Sequence, residues 1–138
     1  MSQPMASTKN TITKLVVNLS RRKLFAYAGP KVVFEYDCVI GRAGHETEAG
    51  FFHIFRKEAM HHSHAYGNTP MPYSMFFSED GKAIHGTPLA GLRSYAGNLG
   101  LGGLIPAVGS HGCVGLSNDD AKELYESTPS HTLVEIIK

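Results

Sequence analysis

Residues 23–41, with the sequence KLFAYAGPKVVFEYDCVIG, decide the fold class of this 138-residue chain. Two runs rich in β-branched and aromatic residues lie on either side of an Ala-Gly-Pro-Lys segment at 28–31. Such runs favour strands, and a Gly-Pro pair favours a tight turn. The preceding segment ITKLVVNL, at 12–19, has the composition of a further strand. Together these segments predict a strand followed by a β-hairpin at the start of a mainly β domain.

The rest of the chain shows the same signals of alternation and turn residues, together with one helix cap. The further predicted elements are a strand at 51–57, a strand and a second short strand over 72–86 with a turn at 79–81, a helix from Ser117 or Asn118 to about Ser127, and a terminal strand at 131–138. Strands dominate this pattern. We therefore predict a β-sandwich or distorted barrel with one or two short helices, whose loops carry the functional site.

The length of the chain indicates one domain, because two halves would each be too small for a stable core. We expect residues 1–11 to be a disordered lead-in and residues 12–138 to be the folded domain. Lys and Arg total 13 against 12 for Asp and Glu, so the net charge of +1 argues against a nucleic-acid partner. The sequence has no apolar run of membrane-spanning length and no apolar signal-peptide centre, so we expect no membrane insertion, and we expect a monomer.

The most reactive candidate is Cys113, in the segment SHGCVGLSNDD at 110–120. The other cysteine, Cys38, lies in a strand-like run, where a small packed side chain is the favoured interpretation. A catalytic thiol needs a nearby histidine or a helix terminus to become a thiolate. Gly112 allows a sharp turn before Cys113, which could aim backbone N–H groups at one point as an oxyanion hole. The alternative is that Cys113 is only a small apolar residue.

Two histidines compete for the role of general base to Cys113. His111 is two residues away in a tight turn, where the two side chains usually diverge, whereas His85 ends a strand elsewhere and can face the thiol. We therefore favour His85, with the backbone carbonyl of Gly86 orienting its other ring nitrogen. For His111, a hydrogen-bonding role that shapes the turn is at least as well supported.

The motif Ser-His-Gly-Cys at 110–113, with Ile-His-Gly upstream at 84–86, resembles the L,D-transpeptidase catalytic domain of the YkuD type. The resemblance runs from about residue 12 to the C-terminus. It includes the opening hairpin, the strands before the histidine, and the helix after the cysteine. It implies a YkuD-like fold for the domain predicted above.

The resemblance implies that Cys113 is the nucleophile and that His85 is the base, oriented by Gly86. It assigns Ser110, His111 and Gly112 to the turn that presents the cysteine. The implied reaction is acyl transfer on peptidoglycan stem peptides. The thiolate attacks the carbonyl of the third residue, a diamino acid, and expels the terminal D-residue, and an amine or water then resolves the thioester. No metal or organic cofactor is implied, and the compartment would be the periplasm, the cell wall or the exterior.

One position departs from the family pattern in a way that bears on the acceptor. Family members commonly carry Arg or Asn two residues after the cysteine, where this chain has Gly115. Arg93 and Arg42 are candidates on charge alone to supply the missing contact, and Arg93 is our predicted substrate-binding residue. The alternatives to a transpeptidase are an L,D-carboxypeptidase or D-amino-acid exchange enzyme, which could be a secreted antibacterial effector, and an inactive domain that only binds wall peptides.

Two further features carry weaker signals. His61, His62 and His64 form a cluster that could hold zinc or nickel, but we interpret it as a solvated loop and predict no metal site. Large residues from Tyr73 onward precede the strand of His85, and such residues are usually core. Of these, Tyr73 is our prediction for a residue near the substrate.

Overall fold

The computed structural model of the chain describes residues 11–41, 46–63, 69–88, 90, 108–110 and 113–138. Within these residues the chain is mainly β, as predicted. The strands are β1 (Lys14–Asn18), β2 (Lys23–Ala28), β3 (Lys31–Asp37), β4 (Ile40–Gly41), β5 (Gly50–His53), β6 (Arg56–Ser63), β7 (Thr69–Phe76), β8 (Ala83–Gly86), β9 (Val108–Ser110), β10 (Val114–Leu116) and β11 (Leu133–Ile137). A helix, α1, spans Asn118–Ser127.

The first sheet has five strands in the order β3-β2-β1-β11-β5. Strand β1 pairs antiparallel with β2 and parallel with β11, so the first and last described strands lie side by side. In β1 and β11 buried and half-buried residues alternate, which is the pattern of strands with one face on a core. The predicted hairpin is present as β2 and β3.

The second sheet has four strands in the order β10-β8-β7-β6. Strands β8 and β10 are parallel, whereas β7 pairs antiparallel with both β6 and β8. A short parallel pair, β4 and β9, forms a separate two-stranded sheet. The motif around Cys113 thus enters the four-stranded sheet directly beside the strand that carries His85.

The main core lies between the two sheets and the helix. It takes buried side chains from both sheets, among them Leu15, Leu24, Met75, Ile84, Val114 and Val134, and Ala121 and Leu124 from α1. A second, smaller cluster consists of Met71, Phe76 and Ala83. Since Met75 and Phe76 are neighbours on one strand, the two clusters occupy opposite faces of the four-stranded sheet.

The strand predicted at 51–57 is wrong as a single element, because the chain changes sheets in its middle. Ile54 is fully buried, and its N–H donates to the carbonyl of Thr132 beside the first sheet. The next N–H, of Phe55, donates to the carbonyl of Phe76 in the second sheet. Burial of Ile54 between the layers therefore ends β5 and starts β6.

Helix α1 has the boundaries that the sequence predicts. The Ser117 hydroxyl accepts a hydrogen bond from the N–H of Asp120 at 3.1 Å, which caps the first turn, and acidic residues follow it. At the other end, Lys57 of β6 donates from Nζ to the carbonyls of Tyr125 and Thr128, both at 2.7 Å. In the described part of the chain, no helix is both long and apolar enough to span a bilayer.

Candidate active site

Cys113 lies immediately before β10, on the outer face of the four-stranded sheet. Its side chain packs against the cluster of Met71, Phe76 and Ala83. The backbone N–H of Ala83, the first residue of β8, lies 3.4 Å from Cys113 Sγ and donates to it. The thiol is therefore held at the first residue of β8 rather than buried in the main core.

His85 lies on the same face of the sheet as this thiol. In the parallel pair of β8 and β10, His85 is opposite Gly115, the second residue after Cys113. Residues two apart on a strand share a face, so Cys113 shares the face of Gly115, and His85 shares that of Ala83. The fold thus brings together the cysteine and the histidine that sequence reasoning favoured.

The ring of His85 has the orienting contact expected from the sequence. Its Nδ1 lies 2.9 Å from the carbonyl oxygen of Gly86, to which an Nδ1–H donates. That tautomer leaves the Nε2 lone pair available to accept a proton. Burial lowers the pKa of His85, the Gly86 carbonyl opposes this, and the charge of His61 lowers the pKa further. Near pH 7 the imidazole is therefore neutral and can act as a base.

The thiol of Cys113 is also neutral at rest. Burial raises its pKa, whereas the Ala83 N–H and the charge of Lys82 lower it and Asp80 raises it. With a neutral thiol and a neutral imidazole, the proton has to move as the nucleophile attacks, rather than before the substrate arrives. The other cysteine, Cys38, is buried in the main core, and burial raises its pKa to about 12, so it is unreactive.

Gly86 contributes more than its carbonyl. A Cβ at this position would lie 2.5 Å from Asn118 Oδ1 and 3.2 Å from Pro72 Cγ. The missing side chain thus allows the first residue of α1 to approach the end of β8 closely. Gly86, whose carbonyl orients the His85 ring, therefore packs directly against the start of the helix.

Gly115 occupies a crowded place. Its N–H and carbonyl exchange two hydrogen bonds of 2.9 Å with Val39. A Cβ would lie 2.6 Å from Thr87 Cγ2 and 2.7 Å from Val39 Cγ2. Threonine and valine side chains thus fill the space beside Gly115, and an arginine could not be added there without displacing them.

The remaining predicted site residues fall at or beyond the edge of the described chain. Ser110 is the last residue of β9 and pairs with Gly41 of β4. His111, Gly112 and Arg93 lie outside the described residues, as does Arg42. Their assigned roles stay predictions.

Tyr73 of β7 packs against helix α1. It has a left-handed φ of 56°, and its ring packs edge-on against Tyr125 of α1, with 5.6 Å between the centroids. It also packs against the main core rather than the cluster under Cys113. The described contacts therefore do not bring Tyr73 to the thiol, and its contact with substrate stays a prediction.

The histidine cluster is not the loop that the sequence suggested. His61 and His62 belong to β6, where they pair with Met71 and Pro70 of β7. The ring of His61 packs edge-on against Phe76, which also belongs to β7. Among the residues that the structure describes, no three His, Cys, Asp or Glu side chains converge on a position for a metal ion, and His64 lies outside them.

Sequence reasoning missed two groups of charged residues around the cluster on which Cys113 packs. Lys82, which precedes β8, has an electrostatic interaction with Cys113 and pairs with Asp80 at 2.5 Å. Arg56 and Glu58 of β6 form an ion pair next to Phe76. Strand register places Arg56 beside Phe76, and no local motif signals this position.

Comparison with known proteins agrees with this geometry. The family model for the L,D-transpeptidase catalytic domain matches residues 12–136. An L,D-transpeptidase structure from Stackebrandtia nassauensis is 30% identical, with a TM-score of 0.74, and the match covers 91% of this chain and 55% of that one. No match was found among curated proteins.

Two further solved structures have the same fold. An L,D-transpeptidase from Enterococcus faecium is 26% identical over 91% of this chain and 50% of that one, with a TM-score of 0.71. L,D-transpeptidase 3 from Mycobacterium tuberculosis, solved with a faropenem-derived adduct, is 21% identical over 91% of this chain and 60% of that one, with a TM-score of 0.69. The match spans between half and three-fifths of each of these proteins.

Proposed function

Since this chain belongs to the family of L,D-transpeptidase catalytic domains, we propose that it transfers acyl groups between peptidoglycan stem peptides through a thioester on Cys113. The observation that carries the proposal is the arrangement on the outer face of the second sheet. There, Cys113 shares a face with His85, whose ring donates to the Gly86 carbonyl. A nucleophile, a base and an orienting acceptor are the parts that acyl transfer by a cysteine requires.

The proposed first step forms the acyl-enzyme. His85 Nε2 takes the thiol proton as Sγ attacks the carbonyl carbon of the third residue of the donor stem. The tetrahedral intermediate collapses when the same proton passes to the nitrogen of the terminal D-residue, which leaves as an amine. Backbone N–H groups of the turn before Cys113 are the proposed oxyanion donors, as the sequence analysis expects.

The second step decides the product. An amine from another stem gives a cross-link, a free D-amino acid gives exchange, and water gives a carboxypeptidase. Exchange and hydrolysis together form our second candidate. It is favoured by Gly115, because Thr87 and Val39 fill the space beside this glycine, where family members commonly carry an arginine or asparagine. Mass spectrometry of products from tetrapeptide muropeptides separates the candidates, since cross-linked dimers as the main product would exclude hydrolysis.

The proposed substrate also suggests where the enzyme works. Peptidoglycan lies outside the cytoplasmic membrane, so we propose action in the periplasm, in the cell wall or outside the cell. Fractionation of the native host with an antibody to the domain would test this proposal. Recovery of the protein only from the cytoplasm would contradict it.

The experiment that tests the proposed chemistry is intact-protein mass spectrometry after incubation with a carbapenem. We expect one adduct per molecule on the wild type and on Cys38→Ala, and none on Cys113→Ala. Cys38→Ala is a matched control because it removes the other thiol of the chain. A folded wild type that forms no adduct would contradict the proposal and favour a domain that only binds wall peptides.

A further inference from the structure

Three polar side chains of β6, those of Arg56, Glu58 and His61, form a network beside the aromatic ring of Phe76. The Arg56 guanidinium carbon lies 4.1 Å from the centroid of the Phe76 ring. Arg56 Nε lies 3.2 Å from one carboxylate oxygen of Glu58, and the other oxygen lies 3.0 Å from Nδ1 of His61. The guanidinium is thus held by a carboxylate and stacked on a ring, which reduces its freedom to rotate.

This network lies in line with the thiol across the sheet. Arg56 is opposite Phe76 in the pair of β6 and β7, and Phe76 is opposite Ala83 in the pair of β7 and β8. The N–H of Ala83 in turn donates to Cys113 Sγ. Neighbouring strands are about 4.8 Å apart. Strand β7, which carries the Phe76 ring under the guanidinium, is therefore about 10 Å from β10, which follows Cys113.

The chemistry of Arg56 suits an anion. Its side chain is 52% exposed, and only its Nε has a hydrogen-bonding or ionic partner among the described residues. A guanidinium offers two parallel donors to a carboxylate. At Gly115, where the resemblance leads us to expect an arginine or asparagine, Thr87 and Val39 fill the space.

We propose that Arg56 binds a carboxylate of the donor peptide, namely the one at the far end of the third residue's side chain. This inference rests on the proposed function. In a diaminopimelate residue, six bonds of about 1.5 Å separate the attacked carbonyl from that carboxylate, a reach of about 7 to 8 Å when extended. The terminal carboxylate of the leaving residue lies only about one residue, or 3.8 Å, away. The spacing of about 10 Å between β10 and β7 is closer to the longer reach than to the shorter one.

The test compares four tetrapeptide donors, with meso-diaminopimelate or lysine at the third position and a free or amidated C-terminus. Steady-state kinetics are measured for wild type, Arg56→Met and Arg21→Met. Arg21 is the matched control, because it also stacks on an aromatic ring, Phe25, but in the other sheet. We expect Arg56→Met to raise KM about tenfold for diaminopimelate donors, with kcat and the lysine donors unchanged. Arg21→Met is expected to change neither constant.

Two results would overturn the inference. The first is an equal rise in KM for lysine and diaminopimelate donors in Arg56→Met. The second is a rise in KM that occurs only for donors with a free C-terminus, whichever residue is at the third position. Peptide binding to Cys113→Ala, with and without Arg56→Met, is followed by NMR titration. This measurement needs no turnover, so loss of catalysis and loss of carboxylate binding are distinguishable. Arg56→Lys, which keeps the charge and the alkyl stem, is expected to lose less affinity than Arg56→Met.

Discussion

The crowding beside Gly115 predicts that the cost of adding a side chain there depends on Thr87 and Val39. We expect Gly115→Ala to lower the free energy of unfolding by about 1 to 3 kcal/mol, because its Cβ would overlap Thr87 Cγ2 and Val39 Cγ2. In a Thr87→Ser, Val39→Ala background both of these methyl groups are absent, so the same change should cost much less. Urea unfolding of both backgrounds, each with and without Gly115→Ala, measures this difference. Equal costs in the two backgrounds would show that the overlap does not decide the effect.

Lys82 and Asp80 predict opposite effects on the reactivity of Cys113. The charge of Lys82 lowers the pKa of the thiol and that of Asp80 raises it, although burial remains the largest influence. Lys82→Met should therefore slow alkylation by iodoacetamide at pH 7 several-fold, and Asp80→Asn should accelerate it, since one pKa unit changes the thiolate fraction about tenfold.

The pH dependence of the alkylation rate measures the pKa of Cys113 directly. Lys82→Arg is the control, because it keeps the positive charge and should leave the profile near that of wild type. A profile in Lys82→Met identical to that of wild type would contradict an electrostatic role for Lys82.

The link between β6 and helix α1 predicts that one lysine stabilises both elements. Lys57 donates to the carbonyls of Tyr125 and Thr128 and lies 4.2 Å from the Tyr125 ring centroid, and the last turn of α1 has no basic residue of its own. Lys57→Met should lower the free energy of unfolding by about 1.5 to 3 kcal/mol. Lys122→Met, at an exposed position of the same helix, should cost less than about 0.5 kcal/mol. Equal costs in denaturant unfolding would contradict the capping role.

Most of the helix and strand positions can be predicted from local sequence patterns, and a few cannot. The hairpin of β2 and β3, the short strand of His85, helix α1 with its Ser117 cap, and β11 all follow from alternation, turn residues and capping, which depend on neighbours in sequence. The split between β5 and β6 could not be predicted, because it depends on where Ile54 is buried between layers. The strand placement of His61 depends in the same way on pairing with β7, which is distant in sequence.

The same distinction applies to the candidate site. Cys113, His85 and Gly86 are visible in the sequence, because their motifs are short and local. The interaction of Lys82 with the thiol and the position of Arg56 beside Phe76 depend on the register of β6, β7 and β8, which is set by packing over the whole sheet. The filled space at Gly115 likewise requires Val39, which is distant in sequence.

The stability of the domain should fall in mild acid because of His85. Its pKa in the folded state is below the ordinary value of 6.5, so below about pH 6.5 the unfolded chain binds a proton that the folded chain resists. Stability is therefore complete above pH 6.5 and decreases towards the lowered pKa, by at most about 1.4 kcal/mol per pH unit from this group. Thermal melts between pH 7.5 and 5 should show a smaller decrease in Tm for His85→Gln. Parallel curves for the two proteins would contradict this assignment.

The parallel pairing of β1 with β11 has a mechanical consequence. The two strands run in the same direction over five register pairs, from Lys14 opposite Leu133 to Asn18 opposite Ile137. Tension applied before β1 and after β11 would pull them in opposite directions along their length. All of their interstrand hydrogen bonds would then be loaded together in shear, rather than opened one by one as in a zipper. A domain held at both ends on a stretched polymer would on this basis resist forced extension, and the face that carries Cys113 lies on the sheet that does not carry the load.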